Sequence, residues 1–338
     1  MAMTIYDISK KAGVSIATVS RVLNGSENVR PSTRKKVMDV IDKYDYTPNA
    51  FARGMGLHSL KTIGILCADS SDLFLAKAVY FLEQELQANG YESLLCCTGY
   101  NLDIKKNYLN LILSKKVDSI ILVGSNFIGS TEDENQYIKD VSTQVPIMLL
   151  SASFDYPNVY STLCDDYGTM FEATTEMIHA GITDILYLYD SKSYSGLKKL
   201  HGFRDAMKEH NIPGFEKLIH FYDGNIEHLN EIADFVAGIA KKGASFHGIM
   251  TSDDSLAIGS IKYAQKKGIR IPEDLSVMGY NNSMLTNCCT PELTSVDNRL
   301  ETQTHQLVQT LLGVLAGEEM PKKSIFSGKI IKRGTTLF

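Results

Sequence analysis

No tryptophan occurs in this sequence, and no run approaches the roughly eighteen apolar residues that a membrane-crossing helix needs, so a transmembrane helix is excluded. No basic-then-apolar segment opens the sequence, and the protein is therefore expected to stay in the cytoplasm. None of the six cysteines (Cys67, Cys96, Cys97, Cys164, Cys288 and Cys289) stands in a C-x-x-C pair. That removes zinc ribbons and thioredoxin-type motifs and leaves reduced, small fillers. His-Glu-x-x-His, a Walker loop and Gly-x-Ser-x-Gly are all missing, and the eight histidines are scattered without metal-ligand spacing. No catalysis, metal or cofactor is expected. Asp253-Asp254 could be a catalytic carboxylate pair, but adjacent acids at a helix start more simply cap that helix.

What is present fits a soluble globular protein of about two domains: 338 residues, 44% hydrophobic and 22% charged. The net charge of -5 is unevenly spread. Residues 1–60 hold nine Lys and Arg against five acids, a balance of +4, and the remainder carries -9. A basic arm on an acidic body suits a nucleic-acid partner, although a solvated basic face gives the same count.

Thr4 can cap a first helix, with Asp7 completing a capping-box-like pair, and Gly13 stops it. Ser15 can cap a second, SIATVSRVLNG, ending at Asn24-Gly25. Two short helices joined around a glycine make a helix-turn-helix candidate. Val19, Val22 and Leu23 form one stripe of the second helix, suited to packing on the first. Ile16, Ala17, Ser20 and Arg21 form the other. The second stripe suits a major groove, where Arg pairs with guanine and apolar groups meet thymine methyls; an ordinary helical hairpin with Arg21 in solvent fits equally. Pro31 opens a third helix, with Val37, Val40, Ile41 and Tyr44 as its apolar face.

The segment TIYDISKKAGVSIATVSRVLNGSENVRPSTRKKVMDVIDKYDYTPNAFARGM resembles, without a gap from Thr4 to Met55, the DNA-binding headpiece of the LacI/GalR family of bacterial transcription regulators. The resemblance implies DNA contacts from Thr4, Ser15, Ile16, Ala17, Thr18, Ser20, Arg21 and Asn24. It implies a hinge helix over Asn49, Ala52 and Met55, with Met55 in the place of the family's minor-groove leucine wedge. The recognition helix is most similar to that of the catabolite control proteins, which implies an inverted-repeat operator with a central C-G step.

From Lys61 on, apolar runs of four to seven residues alternate with helical segments: 62–68, 92–97, 118–124, 146–152, 185–189, 248–251 and 275–280. This argues for parallel sheets covered on both faces, in two doubly wound lobes. Polar residues follow several strands: Asp69-Ser70-Ser71 with Phe74 close behind, Ser125-Asn126, Asp190-Ser191 and Ser252-Asp253-Asp254. Ligands of open sheets bind at such ends, and this mixture suits a small polyhydroxylated ligand.

The stretches 251–283 and 290–295 also resemble the family's core, which implies the periplasmic-binding-protein fold with an effector cleft and three crossovers. The whole is then an all-α helix-turn-helix headpiece (1–47), a hinge or linker (48–61), and an α/β core of two lobes (62–338). The N-lobe is expected over about 62–151 and 295–324, the C-lobe over about 158–289 and 325–338. Asp254 matches the family's ligand-gripping aspartate and Phe74 an aromatic of the cleft. Lys199 stands where a clamp arginine is frequent, which removes bidentate recognition and keeps the charge. Asn281-Asn282 replaces a usual Asp pair. Effector contacts are thus expected at Asp69, Ser71, Phe74, Ser125, Asp190, Lys199, Asp254 and Asn282. The implied protein is a homodimeric regulator, in the first instance a repressor of carbohydrate-related genes, whose operator affinity follows a sugar or sugar derivative in the cleft. A phosphorylated carrier protein as corepressor is the nearest rival, and a cytosolic solute-binding protein a more distant one.

Overall fold

A computed structural model describes residues 3–23, 26, 28–46 and 59–338. The chain forms two compact units, the second running from Ile63 to Phe338 without Lys116–Asp118. The first holds three helices, α1 (Ile5–Ala12), α2 (Ile16–Leu23) and α3 (Pro31–Lys43). Thr4 and Asp7 form the full capping box of α1, and Gly13 at φ 61° ends it in the left-handed conformation. Ile8, Ala12, Val19, Val22, Val37 and Ile41 make the small core of this unit. Val40 only borders it, and Tyr44, expected on the apolar face, is exposed with the Lys11 ammonium 4.3 Å from its ring centre. The aromatic therefore covers a cation instead of entering the core.

The second unit continues β1 (Thr62–Cys67), α4 (Leu73–Ala88), β2 (Glu92–Cys97), α5 (Leu102–Ser114), β3 (Ser119–Val123), α6 (Glu132–Ser142), β4 (Ile147–Leu150), β5 (Val159–Cys164) and α7 (Asp166–His179). Then follow β6 (Ile185–Tyr189), α8 (Tyr194–Glu209), β7 (Ile219–Phe221), α9 (Leu229–Lys241), β8 (Gly248–Thr251), α10 (Asp254–Lys267), β9 (Ser276–Tyr280), β10 (Thr294–Asp297), α11 (Leu300–Leu315), β11 (Lys323–Phe326) and β12 (Lys329–Ile331).

These strands build two six-stranded sheets, in the orders β11-β5-β4-β3-β1-β2 and β12-β10-β9-β8-β6-β7. Around β1, β3, β4, β5 and β11, and around β6 to β10, neighbours are parallel; β12 runs antiparallel to β10. The central strands are buried along their length, which is why they read as continuous apolar runs. On one face of the first sheet Leu75, Leu82 and Leu86 of α4 meet Leu307 and Leu311 of α11. The second sheet is covered by α7 and α8 on one face and by α9 and α10 on the other. At Gly202 a Cβ would run into the Tyr167 carbonyl, so a glycine is what lets α8 lie so close to α7.

Two strands fall on the other side of the expected lobe boundary. Val159–Cys164, expected in the C-lobe, is β5 of the first sheet, and Thr294–Asp297, expected to re-enter the N-lobe at 295, is β10 of the second. The sequence VYSTLC carries Ser and Thr in a short run and lacked a clear strand signal. The chain thus changes lobe after β5, after β10 and between β11 and β12.

Candidate DNA-reading surface and ligand cavity

In the helical unit, α2 is held by Val19 and Val22 and turns Ile16, Ala17 and Arg21 outward. Ile16 is 39% exposed, a large apolar side chain left in water on a helix of eight residues. Lys10, Lys11, Arg30, Lys35 and Lys36 are exposed on the same unit. An exposed stripe that combines a guanidinium with apolar groups, on a unit that also exposes several ammonium groups, has the chemistry that reads base edges and neutralises phosphates. Ser15 and Thr18 are partly spent on the helix start: their hydroxyls lie 2.9 Å apart, and the Thr18 N–H donates to Ser15 Oγ at 3.2 Å. Thr4 likewise donates its hydroxyl to Asp7 Oδ2 at 2.7 Å. Asn24, Asn49, Ala52 and Met55 lie outside the described residues.

In the second unit, the carboxyl ends of strands from both sheets surround one cavity of about 150 Å³. Asp72, Phe74, Ser125 and Asn126 reach it from the first lobe, and Asp190, Ser193, Lys199 and Asp253 from the second. This is where an open α/β sheet presents its loops. The lobes touch directly across it, with Ser125 Oγ donating to Ser193 Oγ at 2.8 Å.

The polar groups are arranged in chains. The Lys199 ammonium is buried, donates to the Ser252 carbonyl at 3.0 Å and lies 3.9 Å from the centre of the Tyr280 ring. Asp166 is buried and accepts from Tyr280 Oη and Ser195 Oγ, each at 2.6 Å. Burial pushes its carboxyl pKa up, and the Lys199 charge opposes that. Asp190 accepts from Ser252 Oγ at 2.8 Å. Asp253 accepts from Asn281 Nδ2 at 2.9 Å and from the Ser255 N–H at 2.7 Å, so it caps α10 from the cavity side. Burial and then the charges of Asp190 and Asp254 raise its pKa to about 7. Burial also raises that of Asp72.

Residues 4–49 match the family of bacterial regulatory proteins known as the lacI family, and residues 174–336 match the periplasmic binding protein-like domain. An HTH-type transcriptional regulator of Lachnoclostridium phytofermentans is 50% identical over 336 residues, 99% of this chain and 100% of the relative. Catabolite control protein A of Priestia megaterium is 33% identical over 303 residues, 88% of this chain and 87% of its own. The chain belongs to the lacI family. It is a DNA-binding transcriptional regulator with a periplasmic-binding-protein-like core. The lac repressor dimer bound to operator and an anti-inducer shares its fold, with a TM-score of 0.88 at 20% identity over 100% of both chains.

Among the effector residues expected from the sequence of this lacI-family regulator, Phe74, Ser125, Asp190 and Lys199 line the cavity. Asp69 and Ser71 line a vestibule outside it. Asp254 does not reach either space. It is 1% exposed, accepts from Ser295 Oγ and the Ser283 N–H at 2.6 Å each, and has its pKa raised to about 6, foremost by burial. Its neighbour Asp253 faces the cavity instead, because the N-cap residue of α10 points out while the first residue of the helix turns into the core. Asn282 accepts from Arg333 at 2.7 Å and lines a separate groove beside α4.

Asn126 and Asp253, which stand in the polar strand ends read from the sequence but not among the expected contacts, also line the cavity, and so do Asp72, Asp166, Asn298 and Gln303, which sequence reasoning did not select. Of these last four, Asp72 carries the only legible signal, an N-cap position before an apolar helix. Among the described residues no helix is long and apolar enough to cross a membrane, and no group of His, Cys, Asp or Glu could hold a metal ion.

Proposed function

We propose that the protein is a homodimeric, cytoplasmic repressor that acts by binding and not by catalysis. It controls carbohydrate-related genes, and its operator affinity is set by a sugar or sugar derivative in the interlobe cavity. The observation that carries this reading is the cavity itself: both lobes supply polar walls to one small space. A ligand there binds one lobe arrangement better than another and so shifts the equilibrium between them. In this reading Arg21, with Ile16 and Ala17, contacts bases, and the hinge residues Asn49, Ala52 and Met55 act in the minor groove of an inverted repeat with a central C-G step. The relatives support the DNA half of the reading, and the transcriptional regulator CelR, whose complex with cellobiose has the same fold with a TM-score of 0.71 at 21% identity, supports the sugar half.

The homodimer is supported by an apolar face around α4, β2 and α5. Leu73, Tyr80, Leu94, Leu95, Ile104 and Leu111 are each more than a third exposed. Exposed apolar side chains gathered on neighbouring elements mark an interaction surface, and a second copy of the chain is the partner assigned to it in this reading.

The test is fluorescence anisotropy of a labelled inverted-repeat operator, titrated with the full-length protein and then with a panel of sugars. Release or tightening by one sugar supports the reading. Operator binding that no sugar changes, together with melting temperatures that no sugar shifts, overturns the effector half.

A further inference from the structure

Two side-chain amides in the cavity define what a ligand must bring. Gln303 is 1% exposed and Asn298 is 5% exposed, and both line the space. The nitrogen of each already has a partner: Gln303 Nε2 donates to the Asn298 carbonyl at 2.6 Å, and Asn298 Nδ2 donates to Asn281 Oδ1 at 3.0 Å. Gln303 Oε1 and Asn298 Oδ1 are buried without a partner. An unmet buried acceptor costs free energy until a donor arrives. On the N-lobe wall Asn126 Nδ2 is a buried donor without an acceptor. The cavity therefore asks for a molecule that both donates and accepts, as a hydroxyl does.

Charge narrows the class further. Outside the cavity lies a vestibule of about 640 Å³ lined by Asp69, Asp72, Asp190, Glu227 and Asp253. Among the described residues lining the two spaces there is no arginine, and Lys199 is the single lysine. Its ammonium is turned to the Ser252 carbonyl and the Tyr280 ring, with the Asp166 charge near it. A phosphate or carboxylate would thus enter past several like charges and meet bare acceptors to which it has nothing to donate. The inner volume of about 150 Å³ matches a cavity that admits one six-membered ring.

We infer that the effector is an uncharged, unphosphorylated sugar, one ring of which sits in the inner cavity with hydroxyls on Asn298 and Gln303, while the acidic vestibule turns away anionic sugars. This rests on the cavity being the effector site.

The experiment is calorimetric titration of the full-length protein with D-glucose, D-galactose, D-mannose, D-xylose and cellobiose. Beside them stand glucose 6-phosphate, galactose 1-phosphate, mannose 6-phosphate and glucuronate. The expected result is that a neutral sugar binds and its anionic counterpart binds about a hundredfold more weakly. The gap narrows in Asp190→Asn and at high salt, because it is electrostatic. Gln303→Ala weakens the neutral sugar without lowering the melting temperature. An anionic sugar that binds as tightly as its neutral counterpart, with Gln303→Ala weakening it too, overturns the inference and leaves the cavity as the effector site. Binding that Gln303→Ala does not touch, or no binding by any member while operator is still bound, overturns the site reading as well.

Discussion

At the scale of single residues, the outward stripe of α2 and the inward carboxylate of Asp254 make opposite predictions. Arg21→Ala should cost about 1–3 kcal/mol on the cognate operator and relax preference at one base position, as read by anisotropy on operators varied at each base. An equal loss on all sequences would make Arg21 a phosphate contact. Asp254→Ala should instead lower the stability of the core by about 1–3 kcal/mol, because it strips partners from Ser295 and the Ser283 N–H inside a buried site. Thermal melting checks this, and a variant of unchanged melting temperature would return Asp254 to the ligand. The sequence showed that carboxylates gather at this helix start. It could not show which one turns inward, since that depends on the residue's place relative to the first turn of α10.

At the scale of elements, the start of α10 gives the core a pH dependence. Asp253 and Asp254 have folded pKa values of about 7 and about 6, above the ordinary 3.8. Between the ordinary and the raised values the folded state holds more protons than the unfolded one. Their contribution therefore favours the fold at low pH and is lost as pH rises through about 6 and then about 7. The melting temperature of the core should fall from about pH 4 to 7 and level off above that, and Asp253→Asn should flatten the fall; equal slopes in both proteins would refute the assignment.

Elements also differ in how openly the sequence announces them. The capping box of α1, the stop at Gly13 and the buried runs of β1, β3, β6 and β8 were legible because cap chemistry and long apolar runs are local signals. Helix α6, EDENQYIKDVS, and the edge strands β11 and β12 were not, since few apolar side chains mark them. Asn298 and Gln303 stayed hidden for the same reason: nothing local distinguishes a cavity amide from a surface one.

At the scale of the whole molecule, the apolar face around α4, β2 and α5 and the acidic body belong together. Leu95→Asp or Tyr80→Asp should halve the mass measured by sedimentation and weaken operator binding, because paired headpieces are lost. An unchanged mass would remove this face as the contact between copies. An acidic body of -9 repels the polyanion and leaves attraction to the basic segment. The logarithm of operator affinity should accordingly fall linearly with the logarithm of salt, by about 0.9 for each phosphate neutralised.

The Asn298–Gln303 pair sits where the chain leaves β10 for α11, on one of the straps that tie the lobes. Whatever satisfies its bare oxygens grips the pivot as well as the walls. Occupying the cavity and turning the molecule are then separable acts. A deoxy sugar that lacks the hydroxyl for that strap should fill the space and leave the operator held as before. The regulator would count arrivals at its axle, and molecules that merely lodge nearby would pass unread.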